Sequence, residues 1–319
     1  MRIAPLAPLA PLAAAGAVLA LAAAGCGLGA GPRTSSGVSL TVTRDFGARE
    51  LEAASAPSAP GAETVMRFLQ RRFRVQTRFG GGFVQSIDGL AGGQENGRPV
   101  DWFFFVNGIL SPIGATEAKL HAGDRVWWDR HDWSGSGANG SPAVVGSFPA
   151  PFTHDLSGRR PPVRLECASD AARACDRVAQ RLQAIDVVPA RAVLGTGAGQ
   201  ETLRVLVGTW TAIRRDGAAR PLENGPAASG VYLRPAPSGR TFALLNAAGG
   251  VAQSLAGGTG LVAATRFEKQ EPAWLVTGTD AGGVLAAADA LRERALARRF
   301  ALVVSGGRIG SAPAGGATP

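Results

Sequence analysis

Residues 38–133 alternate hydrophobic and polar positions with two different periods, one typical of strands and one typical of a helix. Residues 38–42 have an apolar side chain at every second position, as in a strand that is buried on one face. Residues 63–73 place apolar side chains three and four positions apart, which is the spacing of an amphipathic helix. Further strands are predicted at residues 83–87, 102–106 and 125–129, between turn-forming dipeptides. A strand, a helix and then several strands predict a small α+β domain.

A second domain is predicted at residues 161–308, after a linker or connector at residues 134–160. Its pattern interleaves two helical segments, residues 169–184 and 283–298, with short apolar runs typical of buried strands. This order favours a mixed α/β fold. Residues 309–319 are rich in Gly, Ala and Pro, and we predict that they form a disordered tail.

The first 25 residues have the pattern of a secretory signal peptide. Arg2 is the only charged side chain ahead of a long run of Ala, Leu and Gly. The run ends in Ala23-Ala24-Gly25-Cys26, which resembles the lipobox of bacterial lipoproteins, and this resemblance implies cleavage and acylation at Cys26. The alternative is an uncleaved transmembrane anchor, because the run is about long enough to span a bilayer. Either interpretation places the rest of the chain outside the cytoplasm.

The cysteines agree with an exported chain. Residues 26–37 have the composition of a flexible tether, and Cys26 is assigned to the lipid. Cys167 and Cys175 then remain, and an oxidising compartment favours a disulfide between them. A metal site is disfavoured, because no second pair of Cys or His accompanies these two residues.

The chain is basic, with a formal net charge of +9, and it carries only two lysines, Lys119 and Lys269. Arginine in place of lysine, together with abundant Ala, Gly and Pro, is more typical of a GC-rich genome than of a nucleic-acid partner. A basic exported surface attracts anionic lipids or wall polymers without specifying a ligand. We therefore predict no nucleic-acid partner.

One segment of the first domain carries a family resemblance. It begins with G-G-G-F-V at residues 80–84, continues with D-W-F-F-F-V-N-G at residues 101–108, and ends with G-D-R-V-W-W at residues 123–128. This order resembles the bacterial family of transcobalamin-like C-terminal domains, long classed as a domain of unknown function. The resemblance covers about residues 39–133. It implies a β-grasp fold, in which a sheet wraps a helix, and a ligand-binding module for which cobalamin is one candidate ligand.

The predicted strand at residues 102–106 is apolar on both faces. One face is expected to cover the helix, and the other to meet a ligand, a neighbouring domain or a partner. An aromatic platform that stacks on a ring or a sugar is one hypothesis. Its candidate ligand-binding residues are Phe83, Trp102, Asn107, Trp127, Trp128 and Trp133. The alternative is that Trp127, Trp128 and Trp133 pack against the connector at residues 148–152.

Catalytic motifs are missing from the sequence. The G-x-S-x-G pattern of hydrolases does not occur, and the histidines, His121, His131 and His154, are interpreted as surface or turn residues. We therefore expect neither enzymatic activity nor a cofactor or bound metal.

Glycine-rich stretches at residues 195–199 and 257–260 precede strand-like sequence, whereas a phosphate-binding loop precedes a helix. We predict that both are turns. Residues 277–283 do follow a strand and precede a helix, and there Thr279 or Asp280 is predicted to cap the helix N-terminus.

These patterns favour a lipid-anchored protein on the extracytoplasmic face of the membrane. The leading hypothesis is that it binds or presents a small molecule for a membrane transporter, without catalysis. The alternative is a cell-envelope protein that holds a wall glycan or another protein.

Overall fold

The computed structural model describes residues 1, 37–59, 61–137, 140–196, 198–267 and 270–316. The predicted signal segment, Cys26 and most of the tether lie outside the described residues.

The strands are β1 (Val38–Arg44), β2 (Arg49–Ala56), β3 (Val75–Arg78), β4 (Phe83–Ile87), β5 (Leu90–Ala91), β6 (Gly93–Glu95), β7 (Arg98–Val106), β8 (Ile109–Leu110), β9 (Arg125–Asp132), β10 (Val163–Cys167), β11 (Ala190–Val193), β12 (Leu203–Thr209), β13 (Leu233–Pro235), β14 (Phe242–Leu245), β15 (Val251–Leu255), β16 (Gly260–Thr265), β17 (Ala273–Gly278), β18 (Ala301–Ser305) and β19 (Arg308–Ala312). The α-helices are α1 (Val65–Gln70), α2 (Ala150–Thr153), α3 (Ala172–Gln183), α4 (Trp210–Ile213), α5 (Pro226–Ser229), α6 (Ala281–Asp289) and α7 (Glu293–Leu296). Mixed α and β structure is confirmed for the chain.

The first domain is a mixed sheet covered on one face by α1. The strand order is β2-β1-β9-β7-β6, with β1 parallel to β9 and antiparallel to β2. Strands β3, β4 and β5 form a small separate sheet. Thr64 caps α1, since its side chain accepts a hydrogen bond from the Arg67 amide. The buried residues of α1 pack on Trp102, Val106 and Trp128 of the sheet.

The opposite face of this sheet packs against the second domain. The ring of Phe300 lies 5.5 Å from that of Phe105, 5.3 Å from that of Trp127 and 5.0 Å from that of Phe46, measured between centroids. The second apolar face therefore meets a neighbouring domain, which was one of the predicted alternatives. The connector rings Phe148 and Phe152 pack instead on Trp274 of the second domain, with centroids 6.0 and 4.9 Å apart, and the part of the connector that lies against Trp127 is Gly146.

The second domain is a sheet with the order β11-β10-β12-β17-β16-β18-β19. Strands β11, β10, β12 and β17 are parallel, and β16, β18 and β19 are antiparallel. Helices α3 and α6 pack on one face of the sheet, while the other face meets the small β13-β14-β15 sheet and the first domain. Mixed parallel and antiparallel pairing is common in sheets of this size.

The predicted disordered tail is wrong where the chain is described. Residues Arg308–Ala312 form β19, which pairs antiparallel with β18 through Val303 and Gly310. The glycines and alanines that suggested disorder fit a strand at the edge of a sheet, where the partner strand supplies the backbone hydrogen bonds. The second domain therefore extends beyond residue 308.

The local predictions for the cysteines and for the α6 terminus are confirmed. Cys167 and Cys175 form a disulfide whose Cα atoms lie 5.9 Å apart, and it joins the end of β10 to α3. The Asp280 carboxylate accepts a hydrogen bond from the Gly283 amide at 2.8 Å and caps α6. Within the described residues, no helix is both long and apolar enough to cross a membrane.

Candidate ligand cavity

A cavity of about 440 Å³ opens in the second domain where β12 and β17 begin. Its walls come from residues 198–202, from residues 217–221, from α5 and from the loop between β16 and β17. The charged and aromatic side chains that line it, together with one hydroxyl group, are those of Arg204, Arg220, Arg266, Glu271, Phe267 and Thr265. A volume of this size lies within the usual range for small-molecule sites.

Short hydrogen bonds hold the walls of the cavity together. The Glu271 amide donates to the Gln200 carbonyl at 2.8 Å, which ties the β16–β17 loop to the segment before β12. The Thr265 hydroxyl donates to the Ala218 carbonyl at 2.9 Å, and this ties β16 to the opposite wall. Arg266 Nε donates to the Gln270 carbonyl at 2.7 Å within the loop itself. The cavity is therefore preformed by hydrogen bonds within the protein, which include the side chains of Thr265 and Arg266.

Glu271 has an incompletely satisfied carboxylate at this cavity. Its Oε2 atom is buried and finds no hydrogen-bond partner among the described residues. Burial, and then the negative charge of Asp155, raises the pKa of Glu271 to about 7, while Arg266 opposes the shift. Near neutral pH the group can thus either donate or accept a hydrogen bond, and a bound molecule could supply the missing partner.

The three arginines of the cavity differ in how their charges are satisfied. Arg204 is held by Glu166, with Nε–Oε1 at 2.8 Å, and by Asp216, with Nη2–Oδ2 at 2.6 Å. These hydrogen bonds raise the pKa of Arg204, and the hydrogen bond with Glu166 contributes the most. Arg220 and Arg266 form no ion pair with any carboxylate of the described residues. Both can therefore direct positive charge at a ligand.

The arrangement is suited to binding. Arginine side chains recognise carboxylate or phosphate groups through paired N–H donors, and Phe267, which is 66% exposed, offers an apolar ring beside them. None of the lining residues is a cysteine or a histidine. In the described parts of the chain, no group of three or more His, Cys, Asp or Glu side chains could hold a metal ion.

The predicted aromatic platform is not formed in the structure. Trp102, Trp127 and Trp128 are 5%, 3% and 2% exposed. Trp102 Nε1 donates to the Leu90 carbonyl at 3.0 Å, Trp127 Nε1 donates to the Thr43 hydroxyl at 2.7 Å, and Trp128 stacks on Phe104. Their ring faces are covered by the protein because one face of the sheet packs on α1 and the other on the second domain. These three residues form the core rather than an open binding surface.

Asn107 is a buried turn residue rather than an open ligand contact. It adopts a positive φ of 54°, as expected for the first residue of an Asn-Gly turn. Its side-chain amide donates to Asp124 Oδ1 at 2.8 Å and to the Asp155 carbonyl at 3.0 Å, and its oxygen accepts from the Arg125 amide at 2.9 Å. Burial raises the pKa of Asp124, while the hydrogen bonds from the His121 amide and from Asn107 oppose this shift.

Two of the six candidates keep accessible surface. Trp133 is half-buried, and its Nε1 donates to Asp101 Oδ2 at 2.9 Å. Phe83 is half-buried beside Phe79, with ring centroids 6.2 Å apart. Neither residue lines the cavity.

Sequence reasoning missed the cavity residues. Arg266 and Glu271 flank the short stretch F-E-K-Q between two apolar runs, which has the pattern of an ordinary hairpin loop. Arg204 and Arg220 are distant in sequence, and only the fold brings them to the same wall. The feature of the sequence that could have indicated the cavity is the pair of charged residues, Arg266 and Glu271, on either side of the loop.

Comparison with known proteins yields a match to part of the first domain. Residues 62–132 match the family model described as "Domain of unknown function (DUF4430)". Among solved structures, the chain is similar to a "putative metal binding protein" from Ruminococcus gnavus at 10% identity and a TM-score of 0.23. That similarity covers 30% of this chain and 97% of the other. No curated protein matches the chain. The family match ends before the cavity begins.

Proposed function

We propose that this chain is an exported, lipid-anchored protein that binds a small anionic molecule in the cavity of its second domain and presents it to a membrane transporter. The observation that carries the proposal is the buried, unpartnered Oε2 of Glu271 at a cavity that also holds Arg220 and Arg266. An anionic group would pair with the arginines, while a protonated Glu271 donates a hydrogen bond to the same ligand. The proposal includes no enzymatic step.

The first domain, in this proposal, is a transcobalamin-like β-grasp module. The parallel pairing of its first and last long strands, β1 and β9, supports this, as does the family match over residues 62–132. Its aromatic face is occupied by the second domain, so we assign ligand binding to the cavity instead. A cavity of about 440 Å³ is at the lower end of the range for small-molecule sites, and we therefore propose a small ligand.

The proposed anchor is Cys26, at the end of the A-A-G-C sequence. Expression of the full chain and of Cys26→Ser in a bacterium fed with labelled palmitate tests it. We expect label and membrane association in the parent chain and the loss of label in the variant. Equal labelling of the two chains would sink the assignment of Cys26.

Ligand binding is tested by thermal unfolding of the full chain against inorganic phosphate, small carboxylates, vitamins including cobalamin, haem and wall oligosaccharides. A ligand present at a hundred times its Kd stabilises the folded state by about 2.7 kcal/mol. We expect a rise in Tm with one anionic compound, its loss in Arg266→Gln, and its retention in the control Arg240→Gln, which changes an exposed arginine away from the cavity.

The same set of compounds also distinguishes this proposal from the alternative, a cell-envelope protein that holds a wall glycan or another protein. A rise in Tm that survives Arg266→Gln and Glu271→Gln would place the ligand elsewhere. No rise with any small molecule, together with binding to a wall oligosaccharide, would favour the scaffold.

A further inference from the structure

We propose that the cavity takes up a proton together with its anionic ligand, that Glu271 holds this proton, and that Asp155 of the connector sets the pH above which the ligand is released. This inference rests on the proposed function, because it concerns the same cavity and the same ligand. It adds a regulation of that site, in which the ligand is bound on the acid side and released on the alkaline side.

An ionised Glu271 and an anionic ligand are not compatible in this cavity. The Oε2 atom of Glu271 is buried there without a hydrogen-bond partner among the described residues. A negative charge brought beside it disfavours the ionised carboxylate, as happens when two carboxylates share one site. The neutral carboxyl group instead donates a hydrogen bond to the anion. The anion therefore binds to the protonated form of Glu271.

The arginines of the cavity do not satisfy the Glu271 carboxylate. Arg266 Nε donates to the Gln270 carbonyl at 2.7 Å. Burial lowers the pKa of Arg266, and the negative charge of Glu271 opposes this shift, so the two groups interact across a distance without forming an ion pair. Arg204 is already paired with two other carboxylates. Arg220 and Arg266 thus remain available to the anion, while Glu271 needs a proton.

Four charged side chains of the described residues act on the proton of Glu271. Asp155 and Glu201 disfavour its ionised form, whereas Arg266 and Arg159 favour it. Burial has the largest effect and Asp155 the second, and the pKa of Glu271 is raised to about 7. The group therefore exchanges its proton near neutral pH, where a ligand can shift the equilibrium.

Asp155 is held as a fixed negative charge near Glu271. Its Oδ1 atom accepts hydrogen bonds from the Ser157 amide and hydroxyl, both at 2.7 Å, and from the Arg159 amide at 2.8 Å. Although burial opposes them, these hydrogen bonds lower the pKa of Asp155, so it stays ionised while Glu271 titrates. Its carbonyl accepts from the Asn107 side chain of the first domain at 3.0 Å. Because a negative charge does not attract an anion, the contribution of Asp155 is to keep the proton on Glu271.

The coupling determines how affinity depends on pH. Below about pH 7 the free carboxyl group is already protonated, and the affinity is constant. Above that pH each bound anion must bring a proton from the solvent, and the affinity falls by up to about tenfold for each further pH unit.

Isothermal titration calorimetry of the full chain tests the coupling with oxalate and sulfate, whose charges do not change near neutral pH. Titrations in two buffers of different ionisation enthalpy give the number of protons taken up with each anion. We expect uptake of about one proton per anion at pH 8 in the parent chain. Glu271→Gln keeps a hydrogen-bond donor but cannot titrate, so both the proton uptake and the fall in affinity should disappear.

Asp155→Asn tests the role of the connector. Without this negative charge Glu271 should lose its proton more readily, so the fall in affinity should begin at lower pH. A merely structural effect would weaken binding at every pH without moving that point. The matched control Asp176→Asn removes an equal charge from an exposed position on α3 that does not line the cavity, and it should keep the parent profile.

The outcomes distinguish this inference from the proposed function. Binding that requires Arg266 but has the same affinity at every pH, without proton uptake, would overturn the coupling and leave the proposed function standing. Proton uptake that persists in Glu271→Gln would assign the proton to another group. If Asp155→Asn and Asp176→Asn both keep the parent profile, Asp155 does not set the pH of release. If neither these anions nor any compound used in thermal unfolding binds in the cavity, the proposed function fails, and this inference fails with it.

Discussion

Two glutamates of the second domain differ in how completely their carboxylates are hydrogen-bonded. Glu166 is fully buried, and it accepts hydrogen bonds from two nitrogens of Arg204 at 2.8 Å and from the Gly195 amide at 3.3 Å. Glu271 is less buried but lacks a partner for Oε2. A buried charge is tolerated when it is paired and hydrogen-bonded, and otherwise the proton is retained to higher pH. The poorly satisfied group is therefore the one that is available to a ligand.

Glu271→Gln should change how stability depends on pH. The folded-state pKa is raised to about 7 from the ordinary value of 4.5. A raised pKa means that the contribution of the group is fully present below about pH 4.5 and is lost as the pH rises through 7. We expect the glutamine variant to be more stable than the parent at pH 8, by on the order of 1 kcal/mol after allowance for solvent screening. The two proteins should converge near pH 4.5.

Melting temperatures at pH 4.5 and pH 8 check this prediction. For a chain of this size, 1 kcal/mol corresponds to a shift in Tm of about 2–4 °C or less. If the offset between parent and variant is the same at both pH values, the burial of Glu271 does not control its proton.

At the scale of elements, the sequence predicted the strongly patterned segments and missed those that depend on a partner. The predicted strand at residues 125–129 lies inside β9, and the predicted helix at residues 169–184 contains α3. In contrast, β2 has the sequence R-E-L-E-A-A-S-A, whose residues favour a helix. It is a strand because β1 offers a complete edge for pairing, which is a tertiary effect that overrides propensity.

The second helix predicted in the second domain also shows that local sequence does not determine where an element ends. Residues 283–298 were predicted as one helix, but α6 ends at Asp289 and α7 begins at Glu293. Arg292 lies between them in an extended conformation, with φ −145°. Ala and Leu continue through this break without a proline or glycine, so the local sequence gives no stop signal. The cavity was missed for a related reason, because its arginines come from separate elements.

Asp280→Ala should destabilise α6 and the turn that it holds. One carboxylate oxygen accepts from the Gly283 amide, and the other accepts from the Gly258 amide at 2.6 Å. Loss of an N-cap costs about 1 kcal/mol, and loss of the second hydrogen bond adds to this. Urea unfolding should show a lower midpoint for Asp280→Ala than for the parent. The midpoint of Asp280→Asn, which keeps a capping oxygen, should lie between those of Asp280→Ala and the parent. Equal midpoints for Ala and Asn would argue against the cap.

At the scale of the molecule, an aromatic cluster joins the two domains. Phe300 of the second domain contacts Phe46, Phe105, Trp127 and His131 of the first, with ring centroids 5.0 to 5.5 Å apart. Beneath these rings, buried Asp129 accepts hydrogen bonds from the Thr43 hydroxyl and from the Phe46 and Gly47 amides. The contact is both apolar and fully hydrogen-bonded at its carboxylate. Such an interface favours cooperative unfolding of the two domains over independent motion.

Phe300→Ala should uncouple the domains. Truncation of a buried phenylalanine costs about 3–5 kcal/mol, and here the lost aromatic ring contacts lie across the domain boundary. We expect the parent chain to unfold in one calorimetric transition and the variant to unfold in two, since each domain retains its own core. Phe152→Ala provides the matched control, because Phe152 of the connector is also buried and packs on Trp274 of the second domain, away from the first domain. Phe152→Ala should lower the Tm without splitting the transition. Two transitions in the parent chain would show that the aromatic cluster does not couple the domains.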